Sequence, residues 1–97
     1  MAAFLIAHVT VKDQDKLNTY LGSVGATLAP FGGELQKRGA LIEVLAGEHD
    51  HKLVAILKFP DKDAIKSWFE SDAYQALIPN RLEAADMTLI AYNEPPA

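Results

Sequence analysis

Two segments of this chain, Val54-Ala55-Ile56-Leu57 and Leu89-Ile90-Ala91-Tyr92, are apolar at every position. A strand that faces water on one side alternates apolar with polar residues, whereas a strand covered on both sides does not. These two segments therefore belong to a sheet with cover on both faces. A chain of 97 residues has few elements with which to supply that cover. At this size it buries only about 60–65% of the surface that its unfolded form exposes. It contains no cysteine, so neither disulfides nor thiolate metal sites can thicken the core.

The remaining pattern sets the layout. Phe4 to Val11 is rich in branched and aromatic residues and predicts a first strand. Asp13 and Asp15 offer N-caps for a helix that runs to about Ala29 and stops at Pro30-Phe31-Gly32-Gly33. Within it Leu17, Tyr20, Leu21, Val24 and Leu28 share one face, the width of a stripe that lies on a sheet. Gly33 to Ala46 reads as a second strand interrupted near Gly39, Gly47 to His51 as a hairpin connection, and Leu53 to Phe59 as a third strand. Asp61 caps a helix with Ala64, Ile65, Trp68 and Phe69 inward, and Ser71 caps a further turn or two carrying Tyr74, Leu77 and Ile78. Met87 to Tyr92 is the last strand. The order β-α-β-β-α-β over residues 1–97 predicts one α+β domain of the ferredoxin-like type, a four-stranded antiparallel sheet with its first and third strands in the middle.

Two helices cover one face of such a sheet, and a second copy of the chain is the economical cover for the other. The expected assembly is a homodimer joined through its sheet faces, since soluble monomers rarely expose an apolar patch of more than a few hundred Å2. The formal charge of −4 is spread along the chain with lysines interleaved among carboxylates, so no stripe for nucleic acid is present. Met1 to Ala7 lacks the basic segment and long apolar core of a signal peptide, and no run approaches the ~20 apolar residues of a membrane helix. A soluble, cytoplasmic protein with no membrane partner is expected.

Phe59-Pro60-Asp61 before a helix, Ala64, Trp68-Phe69, Ser71-Asp72-Ala73-Tyr74-Gln75 and Arg81, with Gly32-Gly33 and Arg38 upstream, together resemble the domain of unknown function 1330 family over nearly the whole chain. The resemblance implies the dimeric α+β barrel superfamily, in which ferredoxin-like subunits pair through their sheets and a pocket often lies between helices and sheet. Relatives in that superfamily include cofactor-free monooxygenases, isomerases and haem enzymes. Phe4 stands where many family members carry a strand-1 aromatic, here without a hydroxyl, and Tyr20 corresponds to the helix-1 tyrosine that often accompanies it.

Several residues are candidates for a site. Tyr20, Trp68, Tyr74 and Arg81 are the expected ligand contacts, with the Tyr74 hydroxyl and the planar donor fork of Arg81 presented to a carboxylate or enolate at a pocket rim. The alternative for Arg81 is a structural partner, Asp72, Glu70 or a carbonyl, beyond a helix that Pro79 ends at Ile78. Trp68 at helical core spacing also reads as simple packing. His8, Tyr74 and Arg81 are the catalytic candidates, His8 as a base of near-neutral pKa or as a single metal or haem ligand, with a hydrogen-bonded interior or dimer-interface histidine as the alternative. Glu48-His49-Asp50-His51 has the composition of a metal site but no third placed ligand, and reads as a solvated loop, so no metal is expected. Gly22-Ser23-Val24-Gly25 lies inside a helix and is not a phosphate loop. No nucleophile elbow, dinucleotide fingerprint or cofactor motif occurs, and no cofactor is expected. Three readings stay open: an acid-base or oxygenase-type enzyme without a cofactor, acting on a small apolar or carboxylated molecule; a protein that binds such a molecule; and a structural dimer module.

Overall fold

The computed structural model describes residues 1–95. Strand β1 spans Ala3–Val11, helix α1 Gln14–Leu28, strand β2 Glu34–Ala40, strand β3 Leu53–Phe59, helices α2 Lys62–Glu70, α3 Asp72–Gln75 and α4 Ile78–Ala84, and strand β4 Ala85–Asn93. The four strands form one antiparallel sheet in the order β2-β3-β1-β4. The first and third strands lie in the middle, as the ferredoxin-like layout requires.

The helix starts follow local chemistry. Asp13 accepts from the backbone N–H of Lys16 at 3.1 Å, Asp61 from that of Ala64 at 2.8 Å, and the Ser71 hydroxyl from that of Tyr74 at 3.2 Å. Each satisfies a donor that the first helical turn leaves without a partner. After α1 a single 3-10 turn, Ala29–Phe31, ends on Gly32 at φ 71°. A side chain at Gly32 would be strained there, and its Cβ would stand 2.8 Å from the Pro60 ring.

The core lies between the helices and one face of the sheet. On β1 the residues Ala3, Leu5, Ala7 and Val9 point to it, and the registers place Leu53, Ala55, Leu57 and Phe59 of β3 beside them. Leu17, Tyr20 and Leu28 of α1, Ile65 and Trp68 of α2 and Tyr74 of α3 close this layer. The other face carries Phe4, Ile6 and His8 of β1, opposite Lys58, Ile56 and Val54 of β3 and Tyr92, Ile90 and Thr88 of β4. Among the described residues no helix packs on that side, although the face is largely apolar.

Three boundaries differ from the sequence reading. β2 ends at Ala40 instead of Ala46, because the Leu41 N–H turns to the carbonyl of Lys52 and closes a connection through residues 41–52. Ile42 and Leu45 in that connection are 97% and 88% exposed. Pro79 begins a helix where the sequence suggested an end: it sits in the first turn of α4, where a missing N–H breaks no intrahelical bond. Arg81 therefore lies inside α4 and not beyond a bend. Finally, β4 follows α4 without a loop, and Ala84 at the junction accepts from the backbone N–H groups of Lys12 and Asp13, which ties the end of β1 to the end of α4.

Candidate functional site

A cavity of about 510 Å3 opens between α1 and the sheet. Its walls are almost wholly apolar: Leu5, Ala7 and Val9 from β1, Leu53, Ala55 and Leu57 from β3, Met87 and Leu89 from β4, and Leu17, Val24 and Leu28 from α1. Tyr20, Trp68 and Arg38 are the lining residues that carry polar side-chain groups. A space of this size and character is typical of a small-molecule site.

The Trp68 ring is 1% exposed and fixed from several sides. Its indole N–H donates to the Thr27 hydroxyl at 3.0 Å, which in turn donates to the carbonyl of Val24. The rings of Tyr74 at 4.2 Å and Phe59 at 5.6 Å hold its position. Trp68 thus both packs the core and lines the cavity, so the two roles weighed from its helical spacing are compatible.

Tyr74 and Arg81 do not line the cavity. Tyr74 is fully buried behind it, with its hydroxyl 2.9 Å from that of Tyr20 and accepting from the Arg81 guanidinium at 2.8 Å. The direction of this chain follows from the donor inventory. Arginine only donates, so the Tyr74 oxygen accepts from it. The Tyr74 hydrogen has no route to water, and the Tyr20 oxygen is the acceptor in reach; otherwise a buried donor would stay unsatisfied. The chain therefore runs Arg81 to Tyr74 to Tyr20, and the hydrogen left free belongs to Tyr20, a cavity residue. Burial first, and Tyr74 second, push the Tyr20 phenol well above its ordinary pKa, with Arg81 opposing. Tyr20 stays protonated near neutral pH, a hydrogen-bond donor and not a base.

The rim position expected for Tyr74 and Arg81 is thus replaced by a supporting one. Arg81 pairs with a phenol, not with Asp72 or Glu70. Arg38, quoted from the sequence for its resemblance and not as a ligand contact, is the charged residue that reaches the cavity.

His8 stands on the other face of the sheet. Its ring lies 4.9 Å from that of His49 and 6.3 Å from that of His51, which the connection after β2 folds back over β1. His51 Nδ1 is 3.0 Å from the Thr10 hydroxyl and Nε2 is 3.1 Å from that of Thr88. Asp50 lies 3.9 Å from the same Nε2. Among the described residues no three His, Cys, Asp or Glu side chains have the arrangement of a metal site. The sheet separates His8 from the cavity.

The model of the family described as "Domain of unknown function (DUF1330)" matches residues 2–94. The chain belongs to this family. Among solved structures, RPA0582 from Rhodopseudomonas palustris, a protein of unknown function, is similar with a TM-score of 0.80 at 17% identity, over 99% of this chain and 84% of that one. SnoaB from Streptomyces nogalater, a cofactor-independent oxygenase, has a TM-score of 0.70 at 13% identity over 99% and 95%. A dimeric ferredoxin-like protein of unknown function from Thermobifida fusca has 0.62 at 11% over 97% and 92%. Identities this low establish a shared fold. No curated protein matches the chain.

The direction of the tyrosine chain predicts a non-additive pattern. Tyr20→Phe leaves the buried Tyr74 hydrogen without an acceptor and should cost about 1–3 kcal/mol in urea unfolding. Removing both hydroxyls, in Tyr20→Phe with Tyr74→Phe, should cost less than the sum of the two single losses, because the two hydroxyls bond to each other, although Arg81 then loses its acceptor as well. Simple addition of the two losses would mean that the two hydroxyls are not coupled.

The histidine cluster predicts a pH effect. Partial burial first, then the neighbouring His49 and His51, lower the His8 pKa below 6.5. The unfolded chain therefore takes up this proton before the folded one, so the contribution is complete above about pH 7.5 and is lost as pH falls through 6.5 toward the depressed value. Melting temperature should drop between pH 7.5 and 5.5, and His8→Gln should flatten the drop. Equal slopes for the two proteins would count against it.

Proposed function

We propose that this chain is a small-molecule-binding protein whose cavity between α1 and the sheet takes up one apolar molecule with a hydrogen-bond-accepting oxygen. The observation that carries this reading is an apolar cavity of about 510 Å3 with Tyr20 among its lining residues. A purely structural module would have that space filled by its own side chains. The apolar walls supply binding through surface removed from water, and the few polar lining residues set orientation.

Turnover without a cofactor is the second reading. It draws support from the likeness of fold to SnoaB, a cofactor-independent oxygenase. Binding ranks ahead because no carboxylate or imidazole is among the residues that line the cavity, so a substrate there would have to give up its proton without a protein base. Tyr74 and Arg81 serve either reading by holding Tyr20 in place. A second copy of the chain on the outer sheet face belongs to the same proposal. Phe4, Ile6, Val54, Ile56, Ile90 and Tyr92 form its apolar ground, and the exposed Ile42 and Leu45 lie in the connection beside it. The dimeric Thermobifida fusca protein of this fold supports it. A cytoplasmic setting, which the cysteine-free composition suits, completes the reading.

Gly25 supplies the test of the cavity. It lines the space, and a Cβ built on it meets nothing within 4 Å. Gly25→Leu should narrow the cavity while raising helix stability by about 0.5–1 kcal/mol, since glycine is a poor helix former. Calorimetric binding of 1-naphthamide, a neutral apolar probe with an acceptor oxygen, should be measurable for the native chain and lost in the variant. Binding that survives undiminished in a stabler Gly25→Leu would place the probe elsewhere and refute the reading. Oxygen uptake with an oxidisable ligand then separates turnover from binding.

The dimer is tested by light scattering at low micromolar concentration, where twice the chain mass is expected. Ile56→Asp should split or unfold the assembly, because an unpaired charge buried in an interface costs several kcal/mol. A native chain that scatters as a monomer rules the dimer out.

A further inference from the structure

The pairing of β2 with β3 contains an irregularity that changes which side chain meets the cavity. Leu35 stands opposite Leu57, but Lys37, not Gln36, stands opposite Ile56, so the register slips by one residue between Leu35 and Lys37. Gln36 is the extra residue of a β-bulge. Beyond it Arg38 faces Ala55, and Ala55 shares the cavity side of β3 with Leu53 and Leu57. Strict alternation from Leu35 would have put Lys37 on the cavity side and Arg38 on the outer face. The bulge reverses the two, which is a recognised way of re-aiming a side chain.

The consequence is chemical. Arg38 is the only charged residue lining an otherwise apolar space, and its guanidinium makes no ion pair among the described residues. It is exposed and lies on an edge strand, so it keeps its water until something replaces it. We infer that Arg38 is the anion anchor of the cavity, and that the ligand class is an apolar body bearing a single carboxylate. The planar fork of arginine matches a carboxylate with two parallel hydrogen bonds. One cation balances one negative charge; a phosphate monoester, at about −1.5 to −2, would leave uncompensated charge against apolar walls. The apolar body then lies between α1 and the sheet, with Tyr20 as a second polar contact. This inference rests on the cavity being a binding site.

The experiment compares ligands that differ only in charge. Calorimetric titration at pH 7.5 with 1-naphthoate, 1-naphthamide and 1-naphthyl phosphate is carried out on the native chain, Arg38→Gln and Arg38→Lys, with circular dichroism to check the fold. The native chain should bind naphthoate more tightly than either other compound. Arg38→Gln should weaken naphthoate by roughly ten- to a hundredfold, as loss of a hydrogen-bonded charge does, and leave naphthamide within about twofold. Arg38→Lys should fall between, because it keeps the charge and loses the fork. Unchanged naphthoate affinity in Arg38→Gln, with naphthamide still bound, overturns the anchor and spares the cavity. Tighter binding of the phosphate than of naphthoate overturns the assignment to a monocarboxylate. If no compound binds the native chain, the binding reading falls and this inference falls with it.

Discussion

The hydroxyl of Tyr74 is out of reach of water, and much of the molecule is arranged around that fact. A buried phenol needs a donor and an acceptor, and here the two come from different helices: Arg81 of α4 donates to it, and Tyr20 of α1 accepts from it. Three helical segments are thereby held in one mutual orientation over the sheet. Around the hydroxyl the rings of Trp68, Phe69 and Tyr20 pack against that of Tyr74. Further contacts fix α1 to α4 from outside, where the Asn80 side chain donates to the carbonyl of Lys16 and Lys16 pairs with Glu83. The cavity survives because this scaffold holds α1 from one side while the sheet stands on the other.

The sheet divides the chain's polar chemistry in two. Alternation along β1 sends Leu5, Ala7 and Val9 into the cavity and Phe4, Ile6, His8 and Thr10 to the opposite face. Neighbouring residues therefore take part in unrelated surroundings, one apolar and enclosed, the other a cluster of imidazoles and hydroxyls. A substitution on β1 reads out on one side or the other according to parity.

Much of this was legible in the residue pattern, where the governing forces are local. Asp13, Asp61 and Ser71 announced their helix starts because capping needs only the next three residues. The two-sided apolar strands marked a sheet that is apolar on both faces, and helical spacing places Tyr20 and Trp68 on the inward face. What was not legible depended on contacts distant in sequence. Pro79 is ambiguous by itself: the same ring that ends one helix suits the first turn of another, and the junction of α4 with β4 and β1 decides between them. Tyr74 and Arg81 read equally as rim residues or as internal partners, because a phenol and a guanidinium in a line of residues carry no sign of depth. Arg38 was hidden by the bulge at Gln36, since a one-residue slip in register exchanges inside for outside and leaves no mark on composition.

The chain has a single tryptophan, and it stands in the cavity wall with its ring shielded from water and its N–H held by Thr27. Its emission comes from one environment, without other indoles to dilute it. A molecule entering between α1 and the sheet would touch the only fluorophore of its kind in the protein, so the fold carries a built-in optical reporter of its own occupancy.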